Sequence, residues 1–154
     1  MNGRVSAPKS TRHLQELEQI LRGEAPPPPI AQLLGLQLTG VETGRVVVEL
    51  DASKRHANPM GTLHGGVLCD LADLSMGAAM ATTLEDEESF TTLDLTSKFL
   101  KPIWNAHLRA TGRVVKRTRT LGLIECDVED DKGSLVARLF SSCMVLRGDE
   151  ARGR

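Results

Sequence analysis

Little in the composition of this chain indicates a metal, a membrane or a nucleic acid. There are three cysteines and no Cys-x-x-Cys pair, so we expect no metal site and reduced thiols. The formal net charge of −1 argues against bulk attraction to nucleic acid or to an acidic membrane. No uncharged apolar run reaches the roughly 18 residues of a membrane-spanning helix. The N-terminal MNGRVSAPKSTRH lacks the apolar region of a signal peptide, so we expect a cytoplasmic protein.

Aromatic residues are also scarce, at 3% of the chain with no tyrosine, so the sequence does not identify the apolar group of a ligand. The length of 154 residues is enough for one domain with a sizeable core. We assign residues 1–29 to an N-terminal extension that contains a short amphipathic helix and a polyproline spacer. Residues 30–147 form the main domain, and residues 148–154 form a polar tail.

Apolar periodicity predicts one long helix and several strands. The stretch from Val67 to Leu84 is rich in Ala, Leu and Met, which predicts a buried helix. Shorter helices are predicted at Thr11 to Arg22 and at Ile30 to Leu34. Strand-like stretches follow the period of two, at 36–42, 45–51, 90–100, 107–116, 121–129 and 134–147. A hairpin, a long helix and then four strands are typical of an α+β layer fold.

The long helix carries two features that can serve catalysis. Gly65 and Gly66 lie at its start, where the first N–H groups of a helix are free and partially positive. Two acids, Asp70 and Asp73, lie inside the apolar stretch, where an unpaired carboxylate is costly. Gly65 and Asp73 are roughly 12 Å apart along the axis, because a helix rises about 1.5 Å per residue. They cannot act on one bond within one chain, so a role for both requires a two-fold dimer with antiparallel helices.

The residues around this helix start carry a resemblance to a known family. The pattern N-x-x-G-x-x-H-G-G runs from Asn58 to Gly66, with His56 before it, and Asp73 follows eight residues after the first glycine of the pair. It resembles the core motif of hotdog-fold thioesterases, closest to the phenylacetic-acid-degradation and 4-hydroxybenzoyl-CoA thioesterase branch. The resemblance covers about residues 33 to 147. It implies a long helix wrapped by an antiparallel sheet, a dimer or dimer of dimers, and hydrolysis of acyl-CoA thioesters. No cofactor is implied beyond the CoA of the substrate.

The same resemblance assigns the main catalytic roles. Composition does not separate Asp70 from Asp73, and the family motif places the catalytic acid at Asp73. That carboxylate either attacks the thioester or deprotonates a water molecule. Gly65 and Gly66 are candidates for the oxyanion hole, because glycine lets a carbonyl oxygen approach the free N–H groups closely.

Three further polar residues are candidates, and each has an alternative. His64 either donates to the thioester or fixes the turn, and Asn58 either contacts the reacting groups or stabilises its loop. The phenylacetic-acid-degradation branch implies a helper hydroxyl on the strand after the helix, which our register places at Thr92. Thr91 would face the opposite side, so a slip of one residue exchanges the two. The other branch has its helper hydroxyl one turn after the acid, where this chain has Gly77.

Substrate-binding residues are less specific. Lys116, Arg117 and Arg119 cluster near a predicted strand end and suit CoA phosphates, although a solvated strand end has the same composition. Met76 and Phe99 are candidates for the acyl pocket, with the core as the alternative for each. Two other functions are considered. A hydratase or dehydratase on the same fold would need a His-containing motif that is not visible here. A non-catalytic acyl-CoA-binding module would not need the retained acid and glycine pair.

Overall fold

The computed structural model describes residues 10–153, so the predicted N-terminal extension is described only from residue 10 onward. Residues 1–9 and residue 154 lie outside the described residues. The helices are α1 (Arg12–Leu21), α2 (Pro29–Leu34) and α3 (Gly65–Ala81). The strands are β1 (Leu36–Glu42), β2 (Arg45–Ala52), β3 (Glu88–Phe99), β4 (Ala106–Arg117), β5 (Leu121–Asp130) and β6 (Leu135–Arg147). Short 3₁₀ turns lie at Lys54–His56 and Gly148–Ala151, the second of which opens the predicted polar tail.

The predicted helices and strands are present, and the main differences lie at helix ends. The long helix begins at Gly65 rather than Val67 and ends at Ala81 rather than Leu84. Thr82 is its C-terminal cap, and the Thr82 hydroxyl donates to the Ala79 carbonyl of the last turn at 2.6 Å. The predicted polyproline spacer is shorter than expected, since its last proline is the first residue of α2. Proline is favoured at that position because the N–H it lacks would have no partner there.

The six strands form one antiparallel sheet in the order β1-β2-β4-β5-β6-β3. After β2 the chain passes through α3 to β3 at the far edge, and β4 to β6 then fill the centre. The helix α3 contacts all six strands, which explains why it is apolar on most of its surface. This is the predicted α+β architecture, with one long helix wrapped by an antiparallel sheet. Among residues 10–153, the outer edge of β3 has no strand partner.

Ser75 fixes the position of α3 against the centre of the sheet. Its buried hydroxyl donates to the carbonyl of Val46 on β2 at 2.9 Å and accepts from the N–H of Gly112 on β4 at 2.8 Å. A Cβ atom on Gly112 would lie 2.6 Å from the Ser75 carbonyl group. Helix and sheet therefore approach each other more closely here than a residue larger than glycine at position 112 would allow.

The described residues meet neither the requirements of a membrane-spanning helix nor those of a metal site, and the thiols lie free. Between residues 10 and 153, no helix is long and apolar enough to cross a membrane. In the same range, His, Cys, Asp and Glu side chains form no group of three or more that could hold a metal ion. Cys69, Cys126 and Cys143 have free thiols. Burial raises the pKa of the Cys126 thiol to about 12, so this side chain behaves as a small apolar residue.

Replacing Gly112 by Ala should destabilise the fold by about 2 kcal/mol, because the added methyl group overpacks the contact between Ser75 and β4. Thermal or denaturant unfolding measures this change. Gly40→Ala is the matched control, since its Cβ atom would lie 3.4 Å from Val47, an ordinary contact. Equal stability of the Gly112 and Gly40 variants would contradict the close approach of α3 to the sheet.

Candidate active site

The N-terminus of α3 leaves one backbone N–H group free. The Gly66 N–H donates to Nδ1 of His64 at 2.8 Å, and the Val67 N–H donates to the His64 carbonyl at 3.0 Å. The Gly65 N–H has no hydrogen-bond partner among residues 10–153. Of the two glycines predicted for an oxyanion hole, Gly65 therefore has an available donor. The Gly66 donor is occupied within the protomer.

His64 acts as the N-terminal cap of α3. Because its Nδ1 accepts a hydrogen bond, the neutral imidazole carries its proton on Nε2. The ring is exposed, so this Nε2–H group is available to a ligand. A Cβ atom on Gly66 would lie 2.8 Å from His64 Nδ1, so Gly66 has a steric reason to be glycine.

A cavity of about 350 Å³ opens beside Gly65. The ring of Phe99 forms one wall, and it would lie 3.1 Å from a Cβ atom on Gly65, a tight contact that a small shift of the exposed Phe99 ring relieves. Asn58 also lines the cavity, but its amide oxygen accepts from the Met60 and Thr62 N–H groups at 2.9 and 3.2 Å. The structure thus shows Asn58 stabilising its own loop. The remaining wall is mostly apolar, formed by Thr62, Leu63, Leu68, Leu100, Lys101, Pro102 and Ile103.

Asp73 lies two turns further along α3 and is chemically different from its surroundings. Its neighbours Leu71 and Ala72 are fully buried, while its own side chain reaches the surface of the single protomer. Desolvation, followed by the negative charge of Asp70, raises the pKa of the Asp73 carboxyl above the ordinary aspartate range. No hydrogen bond or ion pair offsets this cost among the described residues. An unpaired carboxylate of this kind is a candidate for function.

The helix α3 and the strand β3 run antiparallel and touch at two points. Near the helix start, Gly65 faces the ring of Phe99, at the end of β3. Further along, Gly77 faces the ring of Phe90, close to the beginning of β3, at 3.4 Å from its would-be Cβ atom. Asp73 lies one turn before Gly77 on the same helix face. The β3 residues next to Phe90 on that side are therefore the ones closest to Asp73.

Thr92 is the hydroxyl on this side of β3. It pairs with Cys143 of β6, and the two side chains meet with Oγ1 and Sγ 3.9 Å apart. Cys143 is 1% exposed and faces α3. Its thiol pKa is raised mainly by burial and further by the negative charge of Asp73. Thr91 pairs instead with Met144, which is exposed on the outer face of the sheet.

The structure does not bring Gly65 and Asp73 together within one protomer. Both belong to the same straight helix, so their separation remains roughly 12 Å along the axis. The acid, by contrast, shares its surroundings with Thr92 and Cys143. One protomer thus presents two partial sites, a donor site at Gly65 and an acid site at Asp73.

Two of the predicted substrate-binding residues, Arg117 and Met76, are engaged within the protomer. Arg117 donates to the carboxylate of Glu88 at 2.8 Å and is four-fifths buried, so it is already engaged in an ion pair. Met76 is 1% exposed and packs in the core of the protomer, which is the alternative that the sequence left open for it. Lys116 and Arg119 are exposed and form no ion pair with any residue of the described range.

Sequence reasoning missed two features of this region, Cys143 and a β-bulge at Leu93. Cys143 lies in an apolar strand and carries no motif, so only the strand register places it beside Thr92. The bulge has no sequence signal of its own, because neither glycine nor proline occurs within β3.

Comparisons with known proteins identify the family to which the chain belongs. The family model described as thioesterase superfamily matches residues 60–137. Human acyl-coenzyme A thioesterase 13 is 25% identical over 131 residues, covering 83% of this chain and 93% of that protein. The 1,4-dihydroxy-2-naphthoyl-CoA hydrolase of Listeria monocytogenes is 24% identical over 116 residues, covering 75% and 93%. The phenylacetic acid degradation-related protein of Ralstonia eutropha JMP134 is similar in structure, with a TM-score of 0.76, 33% identity and coverage of 84% and 98%.

Replacing Asp73 by Asn should stabilise the folded protein at neutral pH. Because the folded-state pKa of Asp73 is raised, ionisation favours the unfolded chain, and stability falls as the pH rises through the unfolded and folded pKa values. The melting temperature of the variant should exceed that of the wild type at neutral pH. The two should converge below the ordinary aspartate range, where both states are protonated. Asp70→Asn should give a smaller gain, since it removes only the repulsion. A stabilisation that is independent of pH would contradict this account.

Proposed function

Because the chain belongs to the thioesterase superfamily and is a thioester hydrolase, we propose that it hydrolyses acyl-CoA thioesters at a site shared by two protomers. One observation carries the proposal. A single helix presents a free N–H group at Gly65 and an unpaired carboxylate at Asp73, too far apart to act together. Thioester hydrolysis needs both a donor for the developing oxyanion and an activated nucleophile, and a second protomer supplies whichever one the first lacks.

The oxyanion site is the start of α3. A thioester carbonyl placed above Gly65 receives its N–H group and the positive end of the helix dipole. His64 can supply a second donor from Nε2, since its Nδ1 is engaged by Gly66. In this arrangement Gly66 contributes through shape, by leaving room for the His64 cap, rather than as a donor.

The acid is Asp73 of the partner subunit. As a general base, its carboxylate takes a proton from water, the oxygen adds to the thioester carbon, and the C–S bond then breaks with return of the proton to the CoA sulfur. As a nucleophile, the carboxylate itself adds, releases the CoA thiolate, and forms a mixed anhydride that water opens. The raised pKa of Asp73 makes its carboxylate both a stronger base and a stronger nucleophile, so it serves either route. Label found in Asp73 after a single turnover in isotopically labelled water requires the second route, with water attacking the Asp73 carbonyl carbon. Attack of water at the acyl carbon, by either route, places the label in the product acid.

The exposed edge of β3 is the surface through which we propose that two protomers pair. An edge strand of 12 residues with unpaired backbone groups is open to addition of another strand. Antiparallel pairing of two β3 strands about a two-fold axis would bring the Asp73 side of one protomer toward the Gly65 side of the other. A dimer made in this way has two equivalent sites.

Substrate binding is proposed at the cavity beside Gly65 and at two cations. The cavity, with Phe99 as one wall, offers an apolar surface next to the oxyanion donor. Lys116 and Arg119 are available to bind CoA phosphates. Their neighbour Arg117 pairs with Glu88, the first residue of β3, so in their own protomer they lie near the end of β3 opposite to Phe99. Antiparallel pairing of β3 would place them on the Gly65 side of the partner.

A non-catalytic acyl-CoA-binding module is the second candidate, since the cavity and cations alone suffice for binding. The unpaired carboxylate of Asp73 favours the enzyme hypothesis, because a binding module would gain nothing from a partly desolvated carboxylate. Saturable acyl-CoA binding without release of thiol would select the binding module instead.

Replacing Asp73 by Asn should lower turnover of acyl-CoA thioesters by about 1000-fold, the scale expected for losing a general base. Thiol release from aryl, short-chain and medium-chain acyl-CoAs measures it and identifies the preferred acyl group. Asp70→Asn is the matched control, with the same chemistry one turn earlier on the same helix, and should stay near the wild-type rate. If folded Asp73→Asn turns over acyl-CoA as fast as the wild type, Asp73 is not the catalytic acid.

A further inference from the structure

The strand β3 meets α3 at two points that a regular strand could not reach together. Phe90 faces Gly77, and Phe99 faces Gly65. Side chains alternate between the faces of a strand. Phe90 and Phe99 are an odd number of positions apart in the sequence, so a regular strand would place them on opposite faces. The ladder with β6 shifts its register between Thr92 and Asp94, which leaves Leu93 as an extra, bulged residue. The bulge restores the alternation, so that both phenylalanines face the helix.

The bulge also decides which hydroxyl faces Asp73. Thr92 comes immediately before Leu93 and pairs with buried Cys143 on the α3 side. After the bulge, Leu95 pairs with Ser141, which is again on the α3 side. If β3 before the bulge slipped by one residue, Thr91 would replace Thr92 on that side. The position of the helper hydroxyl thus depends on holding the extra residue at 93.

Asp94 fastens the bulge to β6 from both faces of the sheet. On the outer face, its carboxylate accepts from the Ser142 N–H group at 3.1 Å and from the Ser142 hydroxyl. On the inner face, the buried Ser141 hydroxyl donates to the Asp94 carbonyl at 2.9 Å. Backbone and side chain of this one residue therefore hold the strand where the ladder is interrupted. Charge-assisted bonds of this kind are the stronger class of hydrogen bond.

We propose that Asp94 is a positioning residue of the hydrolase, which holds the Leu93 bulge so that the Thr92 hydroxyl faces the acid site at Asp73. The inference rests on the proposed function for the role of Thr92. The hydrogen bonds of Asp94 with Ser141 and Ser142, which we call the clamp, are a property of the fold. Asp94 lies on the outer face of the sheet and does not reach the reacting atoms. Its effect on catalysis passes through Thr92.

The test is a double-mutant cycle between Asp94 and Thr92. Thr92→Ala and Asp94→Ala should each lower kcat about tenfold, the scale of one hydrogen bond to a charged group, and change KM by less than about twofold. Because Asp94 acts through Thr92, the double variant should lie within about twofold of Thr92→Ala alone. Asp94→Asn keeps an oxygen that can accept from the Ser142 N–H group and should recover most of the lost rate. Thr96→Ala, an exposed position on the outer face of β3, is the control and should match the wild type.

Losses that multiply in the double variant, or a rate for Asp94→Ala equal to that of Thr96→Ala, would overturn the positioning role while leaving the hydrolase proposal in place. If Asp94→Ala does not fold, Ser142→Ala removes one bond of the clamp and takes its place in the cycle. A wild-type protein without turnover would refute the proposed function instead. The clamp is then tested by amide hydrogen exchange, where Asp94→Ala should accelerate exchange at Ser142 and along β3. Unchanged exchange would overturn the clamp as well.

Discussion

The distance along α3 between the Gly65 N–H group and the Asp73 carboxylate is the constraint on which the rest of this molecule depends. A helix is rigid, so the free Gly65 N–H group and the Asp73 carboxylate stay roughly 12 Å apart in any conformation that keeps α3 intact. Ser75 reinforces that rigidity by fixing the helix to β2 and β4. If both groups serve one reaction, two copies of the helix must meet. The unpaired edge of β3 provides the surface for that meeting.

The same arrangement explains why the fold carries a costly side chain. Asp73 is partly desolvated, is repelled by Asp70 and has no partner in the described part of its own protomer. Such a group lowers stability, and natural sequences keep such groups where function needs them. This cost is offset because one face of the same helix is buried, from Leu68 to Met80. Stability comes from the buried faces of α3, and the chemistry uses what remains exposed.

The sequence predicted the fold well because apolar periodicity over long segments is a strong signal. It predicted the site only in part, because contacts across the sheet have no local pattern. Nothing near Gly66 shows that His64 occupies its N–H group. Nothing near Arg117 shows that an acid from β3, Glu88, pairs with it. The choice of Thr92 over Thr91 depended on strand register, and the bulge that sets this register is visible only in the pairing with β6.

The most direct measurement of the central claim is subunit complementation. Asp73→Asn removes the acid, and Gly65→Pro removes the free N–H group while suiting the first position of a helix. The preceding His64, with φ −64° and ψ 131°, already has a conformation that proline accepts. Each variant alone should be inactive. In a refolded equal mixture, half of the dimers are mixed and each holds one complete site, so turnover should return to about one quarter of the wild-type rate. A mixture as inactive as its parents, although mixed dimers form, would contradict the shared site.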